Sequence, residues 1–310
     1  MHVHSRAVIR IDGKGFTKFT RAHGFAKPND TNGLNLMNAA ACAVMREFVG
    51  EIMLGFGQSD EYSFVFRRDT VLYKRRMSKL LSLVVSCFSG SYACLWPKYF
   101  PEVELKWIPV FDGRCVLYPS AKLLRDYLAW RQVDVHVNCQ YNTCYWMLYE
   151  EEMAKLDGDS GNGGGVAAAG GDDRGDGLQT GGDKCEAGIG KRVQGMLRGT
   201  MTSDKNEIMF QRGVNYNDLP QMWRKGSVLV WEEEGEGEGE GEGEGAAKVG
   251  ERGGQMQASG EETEGEGVKR GKKKDKKQKK SQIKSKRVLR VLHEDIIKDR
   301  FWVRHPWLLE

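Results

Sequence analysis

"EIMLGFGQSDEYSFVFRR", residues Glu51 to Arg68, decides the fold. It reads as a β-hairpin: one strand runs to Phe56, Gly57 to Asp60 turn, and Tyr62, Phe64 and Phe66 alternate on the return. Upstream, "AVIRI" (Ala7 to Ile11) is a β-branched run that stops at Asp12 and Gly13, which reads as a strand and a turn. Between the two, "AKPNDTNGLNLMNAAACAVMREFV" reads as a loop and a helix. Asn29, Asp30 or Thr31 is placed to cap it, and Leu34, Met37, Ala41, Val44 and Met45 give the apolar stripe. Downstream, "TVLYKRRMSKLLSLVVSCFSGSYACLW" predicts a long helix capped at Thr70, and "WIPVFDGRCVLYP" another strand. "SAKLLRDYLAWRQVDVHVNCQYNTCYWMLYEEE" then predicts one or two helices. The order is βαββαβ, an α+β, ferredoxin-like arrangement with an antiparallel sheet backed by two helices. Many unrelated functions use that fold, so function must come from the site.

The rest of the 310 residues divides by composition. Residues 1–156 form the main body, and 157–190 are too Gly-rich and apolar-poor to fold, so disorder is expected there. Residues 191–231 resume the body as a helix, a loop and a strand ending at Trp231. The 232–286 segment is a Gly/Glu and Lys-rich linker with disorder again expected, and 287–310 is apolar enough to dock back on the body. The net charge of +4 hides opposed runs, acidic over 232–266 and basic over 269–290. Seven cysteines with no CxxC pair and no zinc spacing argue for a reducing compartment, cytoplasm or nucleus. The short lead-in before the first strand suggests a missing N-terminal segment, which leaves a mitochondrial location open. No apolar run is expected to reach the ~20 residues of a membrane helix.

The chemistry centres on Asp12, at the end of the first strand, and Ser59, Asp60 and Glu61, at the hairpin tip. If that strand and the hairpin are neighbours, Asp12 and Asp60 occupy adjacent strand ends. Their charges repel unless a cation lies between them, and Mg²⁺, held by one or two carboxylates plus substrate phosphates, suits the position. Two such ions, ~3.5–4 Å apart, would stabilise the entering and leaving oxygens of an in-line phosphoryl displacement. Gly13 would let its backbone approach ion or phosphate, amides from Gly13 to Thr17 would form an anion nest, and Lys14 would add positive charge. Alone, Asp-Gly is an ordinary turn and Ser-Asp-Glu a solvated tip; their pairing carries the reading. A Walker A loop does not fit, because the lysine precedes the second glycine. Lys205 and Glu207 read as a loop entering a strand, with an exposed lysine the bland alternative. His136, Asn138 and Asn142 read as a groove lining, or His136 as a satisfied core histidine. Lys74, Arg75, Arg76 and Lys79 read as a solvated helix face or a phosphate clamp. The lysine run 269–287 would bind any polyanion in a salt-dependent way, or act as a targeting tract or linker.

Taken in order, "RIDGKGF", "FAKPND", "GQSDEYSFVF", "KRRMSK", "FDGR", "YLAWRQVDVHVN", "YNT", "GTMTSDKNEIMF", "NYN", "RKGSVLVW" and "FWVRHPWLLE" closely resemble the tRNA-His guanylyltransferase family. The resemblance implies a palm-like catalytic domain similar to polymerases and nucleotide cyclases, a homotetramer, and ATP, GTP and tRNA-His as substrates and partners, with no membrane. It implies activation of the tRNA 5′-phosphate by ATP, attack by the GTP 3′-hydroxyl, and pyrophosphate removal, with two Mg²⁺ ions. Carried over by motif, Asp12 and Asp60 are metal carboxylates, the Gly13 carbonyl is a further ligand, and Glu61 supports catalysis. Asp12, Gly13, Lys14, Gly15, Phe16, Thr17, Ser59 and Asp60 would hold the nucleotide, with Lys27, Lys74, Arg75, Ser78 and Lys205 as further nucleotide and phosphate contacts. His136, with Asn138, would contact tRNA. Many members have His at the Thr17 position and a second Asn where Cys139 stands. Rival readings are a template-dependent 3′→5′ tRNA repair polymerase of the same superfamily and a non-catalytic RNA-binding protein.

Overall fold

The computed structural model describes residues 5–159, 181–233 and 287–310. The first strand is β1 (Arg6–Gly13), and the hairpin is β2 (Ile52–Gln58) with β3 (Glu61–Phe66). The turn is tighter than its composition suggests. Gln58 still pairs with Glu61, so Ser59 and Asp60 alone make the loop, and Ser59 takes a left-handed φ of 56°. A short helix that the sequence reading missed, α1 (Phe16–Ala22), follows β1. Then comes α2 (Thr31–Glu47), capped by Asp30, whose carboxylate accepts the Gly33 and Ala26 N–H groups at 2.8 Å each. The next helix, α3 (Met77–Tyr99), starts later than expected. Thr70 is no cap; its hydroxyl donates to Glu51, and a left-handed turn over Tyr73, Lys74 and Arg75 intervenes. β4 (Phe111–Tyr118) completes the βαββαβ unit.

The strands lie in the order β4-β1-β3-β2, the order of a ferredoxin-like sheet, and their pairings are antiparallel. Two further strands, β5 (Ser227–Glu233) and β6 (Arg287–Leu292), extend the sheet beyond β2 to six. Helices α2 and α3 cover one face, with Ile9, Ile11, Phe64 and Phe66 packed among Met45, Val84 and Phe88. The two helices back the sheet as expected, and its other face is covered as well. There α4 (Ala121–Asp159), a single 39-residue helix with no proline, packs Leu124 and Leu128 on Val8, Leu54 and Val65. The chain's last residues, including α8 (Asp299–Arg304), complete that cover with Phe301 and Trp302. Ser63 and Val65 are therefore as buried as Tyr62 and Phe64, and alternation on β3 separates two interior faces rather than inside from outside. Gln132 fastens α4 to this tail: its amide donates to the Lys225 and Glu294 carbonyls and accepts the Ile296 N–H, 2.8 Å each.

The far half of α4 makes a separate small core with α5 (Gly181–Leu197) and α6 (Thr202–Phe210), around Leu148, Val193 and Met209. The α6 helix corrects the reading of "SDKNEIMF" as a loop entering a strand: Asp204 accepts the Met201 N–H at 2.7 Å and starts a helix. A five-residue helix, α7 (Gln221–Lys225), leads into β5. Most of the segments expected to be disordered, 157–190 and 232–286, lies outside the described residues. Their edges do not: α4 runs to Asp159, α5 begins at Gly181, and β5 reaches Glu233. Contrary to the expectation about apolar runs, α3 is long and apolar enough to cross a membrane by length and composition. It instead buries Leu80, Val84, Phe88, Tyr92 and Trp96 in the core.

Candidate active site

Strand register brings the acidic residues together. Asp12 lies directly opposite Glu61 on β3 and Asp112 on β4. The Gly13 N–H donates to the Asp60 carbonyl at 3.0 Å, which fastens the end of β1 to the hairpin tip. Glu61, Asp12 and Asp112 thus stand abreast on one face of the sheet, with Asp60 at the adjoining turn. The next rung on that face carries Ser63, Arg10 and Arg114. Arg10 Nη2 donates to both Asp12 and Glu61, and Arg114 approaches Asp112 at 3.5 Å. An acidic row thus sits above a row bearing two arginines. Burial works against the Arg10 charge, but hydrogen bonding and attraction from Glu61, then attraction from Asp12, outweigh it and raise its pKa. The Asp60 carboxyl is also raised, first by burial and further by the Asp12 and Glu61 charges. Hydrogen bonds from its own amide and from Ser59 oppose the rise.

This donor set fits Mg²⁺. Asp12 and Asp60 offer hard oxygens at adjoining strand ends, and the Asp12 and Glu61 charges, which add to burial in raising Asp60, are ones a cation would offset. Among the described residues, no three His, Cys, Asp or Glu side chains form a metal cage. A cavity of about 120 Å³ opens at the tip, lined by Ser59, Asp60 and Glu61 and, across from them, Asp134, Asn138 and Asn142 of α4. Its lining is polar, as a site for ions or phosphate groups requires.

The glycine-rich stretch works differently from the sequence reading. A Cβ on Gly13 would lie 2.3 Å from the Phe16 ring, so Gly13 is there to admit Phe16. Phe16 is a core residue, stacked on Phe19 at 4.9 Å and near Phe111 at 5.1 Å, so its ring is buried and only its backbone faces the turn. The expected five-amide nest loses two members: Gly13 N–H goes to Asp60, and Lys14 N–H to the Val110 carbonyl at 2.8 Å. Gly15, at φ 69°, caps α1, and the Phe16 and Thr17 amides head that helix, where N–H groups lack intrahelical partners. The side chains of Lys14 and Thr17 are exposed beside them.

Other expected contacts scatter. Arg75 is buried and donates to the carbonyls of Ser5, Arg68 and Thr70, so its guanidinium is a structural anchor. It anchors the start of β1, seven residues from Asp12 or roughly 20 Å along a strand. Lys74 and Ser78 flank it and are exposed, outside this centre within one chain. Lys205, on α6, donates to the Thr200 carbonyl at 2.8 Å. Lys27 is exposed, with its ammonium 5.3 Å from the Trp146 ring, one turn beyond Asn142 on α4. His136 and Asn138 line different cavities, because residues two apart on a helix face different ways. Asn138 lines the tip cavity. His136 lines another of about 390 Å³ with Gln140, Asn206, Phe210 and Tyr216, and its Nδ1 lies 2.6 Å from the Tyr216 hydroxyl. Burial, then the Arg224 charge, lowers the His136 pKa. Sequence reading missed Asp112, Arg10, Arg131 and Asp134. The available signal was an arginine two residues before Asp12, on the same face of an otherwise apolar strand.

A family model described as tRNAHis guanylyltransferase matches residues 1–119, and another, Thg1 C terminal domain, matches 122–162 and 186–298. The chain is 40% identical over 303 residues to a probable tRNA(His) guanylyltransferase of Drosophila melanogaster, spanning 97% of this chain and 78% of that protein. It is also 40% identical over 302 residues to the tRNA(His) guanylyltransferase of Schizosaccharomyces pombe, spanning 97% and 89%. The crystal structure of the Saccharomyces cerevisiae tRNA(His) guanylyltransferase superposes with a TM-score of 0.59 at 38% identity, covering 73% of this chain and 86% of that one.

Proposed function

Because the chain belongs to the tRNA(His) guanylyltransferase family, we propose that it adds one guanylate to the 5′ end of tRNA-His, with Asp12 and Asp60 at the centre of transfer. ATP first activates the tRNA 5′-phosphate, whose oxygen attacks the ATP α-phosphorus as pyrophosphate leaves. The 3′-hydroxyl of GTP then attacks the activated tRNA phosphorus, AMP leaves, and the pyrophosphate of the added nucleotide is removed. The single observation that carries this reading is the Gly13–Asp60 hydrogen bond, 3.0 Å, which fastens two carboxylate-bearing strand ends side by side.

The residues divide the work. Asp12, Asp60 and the Gly13 carbonyl hold Mg²⁺, which when bound stabilises charge on the phosphoryl oxygens and lowers the pKa of the attacking group. The two-residue turn fixes Asp60, so its carboxylate needs little reorganisation on binding. Lys14 and the first amides of α1 attract the phosphates. Lys27 lies near the far end of the α4 face, where it can meet a triphosphate tail. His136, in the larger cavity lined by amide side chains, contacts RNA bases. Association into a tetramer is supported by exposed Trp130, Val133 and Val137 on one side of α4 and by exposed Val116 and Leu117 on the edge strand β4.

The test incubates the full chain with 5′-phosphorylated tRNA-His, ATP, labelled GTP and Mg²⁺. Label at the RNA 5′ end, dependent on ATP, is expected. RNA binding without label would favour a non-catalytic binder, and templated extension of truncated tRNAs in preference to tRNA-His would favour a repair polymerase.

A further inference from the structure

Glu61 stands out for how its carboxylate is occupied. Arg10 Nε donates to its Oε2 at 3.2 Å and Arg10 Nη2 donates to the same oxygen. Arg131 Nη1 reaches Oε1 at 3.2 Å and Oε2 at 3.3 Å. Both oxygens are therefore committed to guanidinium groups that come from different elements, β1 and α4. Asp12, directly opposite, shares only Arg10 among the described residues. Arg131 is itself fixed: its guanidinium lies 4.2 Å from the Trp130 ring and 3.9 Å from Asp134, and its side chain is 11% exposed.

From this asymmetry we infer that Glu61 is an anchor rather than a ligand, and that Arg131 is a positioning residue acting through it. A cation at the strand ends competes with one arginine for Asp12 but with two for Glu61. Asp12 can exchange Arg10 for the ion while Arg10 stays on Glu61, and Arg131 keeps Glu61 from following Asp12 toward the ion. The same bond sets α4 at a fixed distance from the hairpin. Asp134 and Asn138, on the next turns of α4, then face Asp60 across the tip cavity. Loss of Arg131 would free one side of Glu61 beside Asp12 and Asp60 and loosen the α4 wall together. The inference rests on the transfer reading above and adds a division of labour among its carboxylates.

The experiment is a double-mutant cycle on the full chain with Glu61→Gln, Arg131→Met and the pair. It reads transfer kcat, GTP KM and, without RNA or nucleotide, the rise in melting temperature on adding Mg²⁺. Each single variant should lose on the order of tenfold or more in kcat, with GTP KM within about twofold. The double should be no slower than the slower single, because one interaction is removed twice. Arg131→Lys should recover part of the loss. Glu61→Gln should keep the Mg²⁺-induced rise, whereas Asp12→Asn should lose it. Losses that multiply, or a Glu61→Gln protein without the Mg²⁺-induced rise, would overturn the inference. If Arg131→Met does not fold, Arg131→Lys replaces it in the cycle. A wild-type protein that shows the rise but transfers no guanylate would instead sink the transfer reading, and the Mg²⁺ arm would still decide the role of Glu61.

Discussion

Asp60 carries an electrostatic conflict that folding does not remove. Its folded pKa is raised by burial and by Asp12 and Glu61, so the native state binds its proton more tightly than the unfolded chain does. The sign follows: this group favours the fold at low pH, and that contribution is lost as pH rises from the ordinary value of 3.8 through the raised one. Without metal, Asp60→Asn should therefore stabilise the protein at pH 7 by about 0.2–1 kcal/mol, the range for opposed like charges, and have no such effect well below the unfolded value of 3.8. Urea titrations at the two pH values check it; equal effects at both would remove the conflict. Gly13 makes a second test. A methyl group there collides with the Phe16 ring at 2.3 Å, so Gly13→Ala should cost about 1–3 kcal/mol by overpacking. A denaturant midpoint unchanged from wild type would show that the ring gives way.

At the scale of elements, the loop before α2 depends on one carboxylate. Asp30 holds Ala26 and Gly33 N–H groups together, so it both caps the helix and shapes the turn that carries Lys27. Asp30→Ala should cost about 1 kcal/mol in a urea titration and raise the GTP KM as Lys27 loses its support. A raised KM without the stability loss would separate the two roles. This cap, β1, the hairpin and the βαββαβ order were legible because each follows from local spacing and local chemistry. The left-handed turn before α3 was not. Tyr73, Lys74 and Arg75 adopt φ near +50° with no glycine among them, held by carbonyls of Ser5, Arg68 and Thr70 that are remote or loop-borne. Nothing in "YKRR" announces that arrangement. Helix α6 was lost for a similar reason: its apolar residues are few, and its start depends on Asp204 reaching back to Met201.

Across the whole molecule, α4 is the organising element. It covers the second face of the sheet, walls the tip cavity, holds His136 in a separate cavity and receives the tail through Gln132. Gln132→Leu would leave one N–H and two carbonyls without their partner, so a loss of about 1–3 kcal/mol is expected in guanidinium unfolding. A neutral effect would mean the tail is not held there. The juxtaposition of Asp12 and Asp60 could be read from sequence because the two lie at adjoining strand ends, a matter of topology. The arginines that manage them could not, since Arg131 meets Glu61 only once a helix seventy residues on crosses the sheet. The phosphate contacts were harder still. Arg75 and Lys205 each donate to backbone carbonyls in this chain, partners that their residue type alone does not announce.

Guanylate transfer is proposed to take place between Asp12 and Asp60. The most direct measurement is the single-turnover rate of labelled GTP joining tRNA-His that already bears an activated 5′ end, compared among wild type, Asp12→Asn and Asp60→Asn at saturating Mg²⁺. Both variants should be folded and slower by about 10²–10³-fold or more, the scale of losing one preorganised charge-stabilising group. A folded Asp60→Asn protein that transfers guanylate at the wild-type rate would place the chemistry elsewhere.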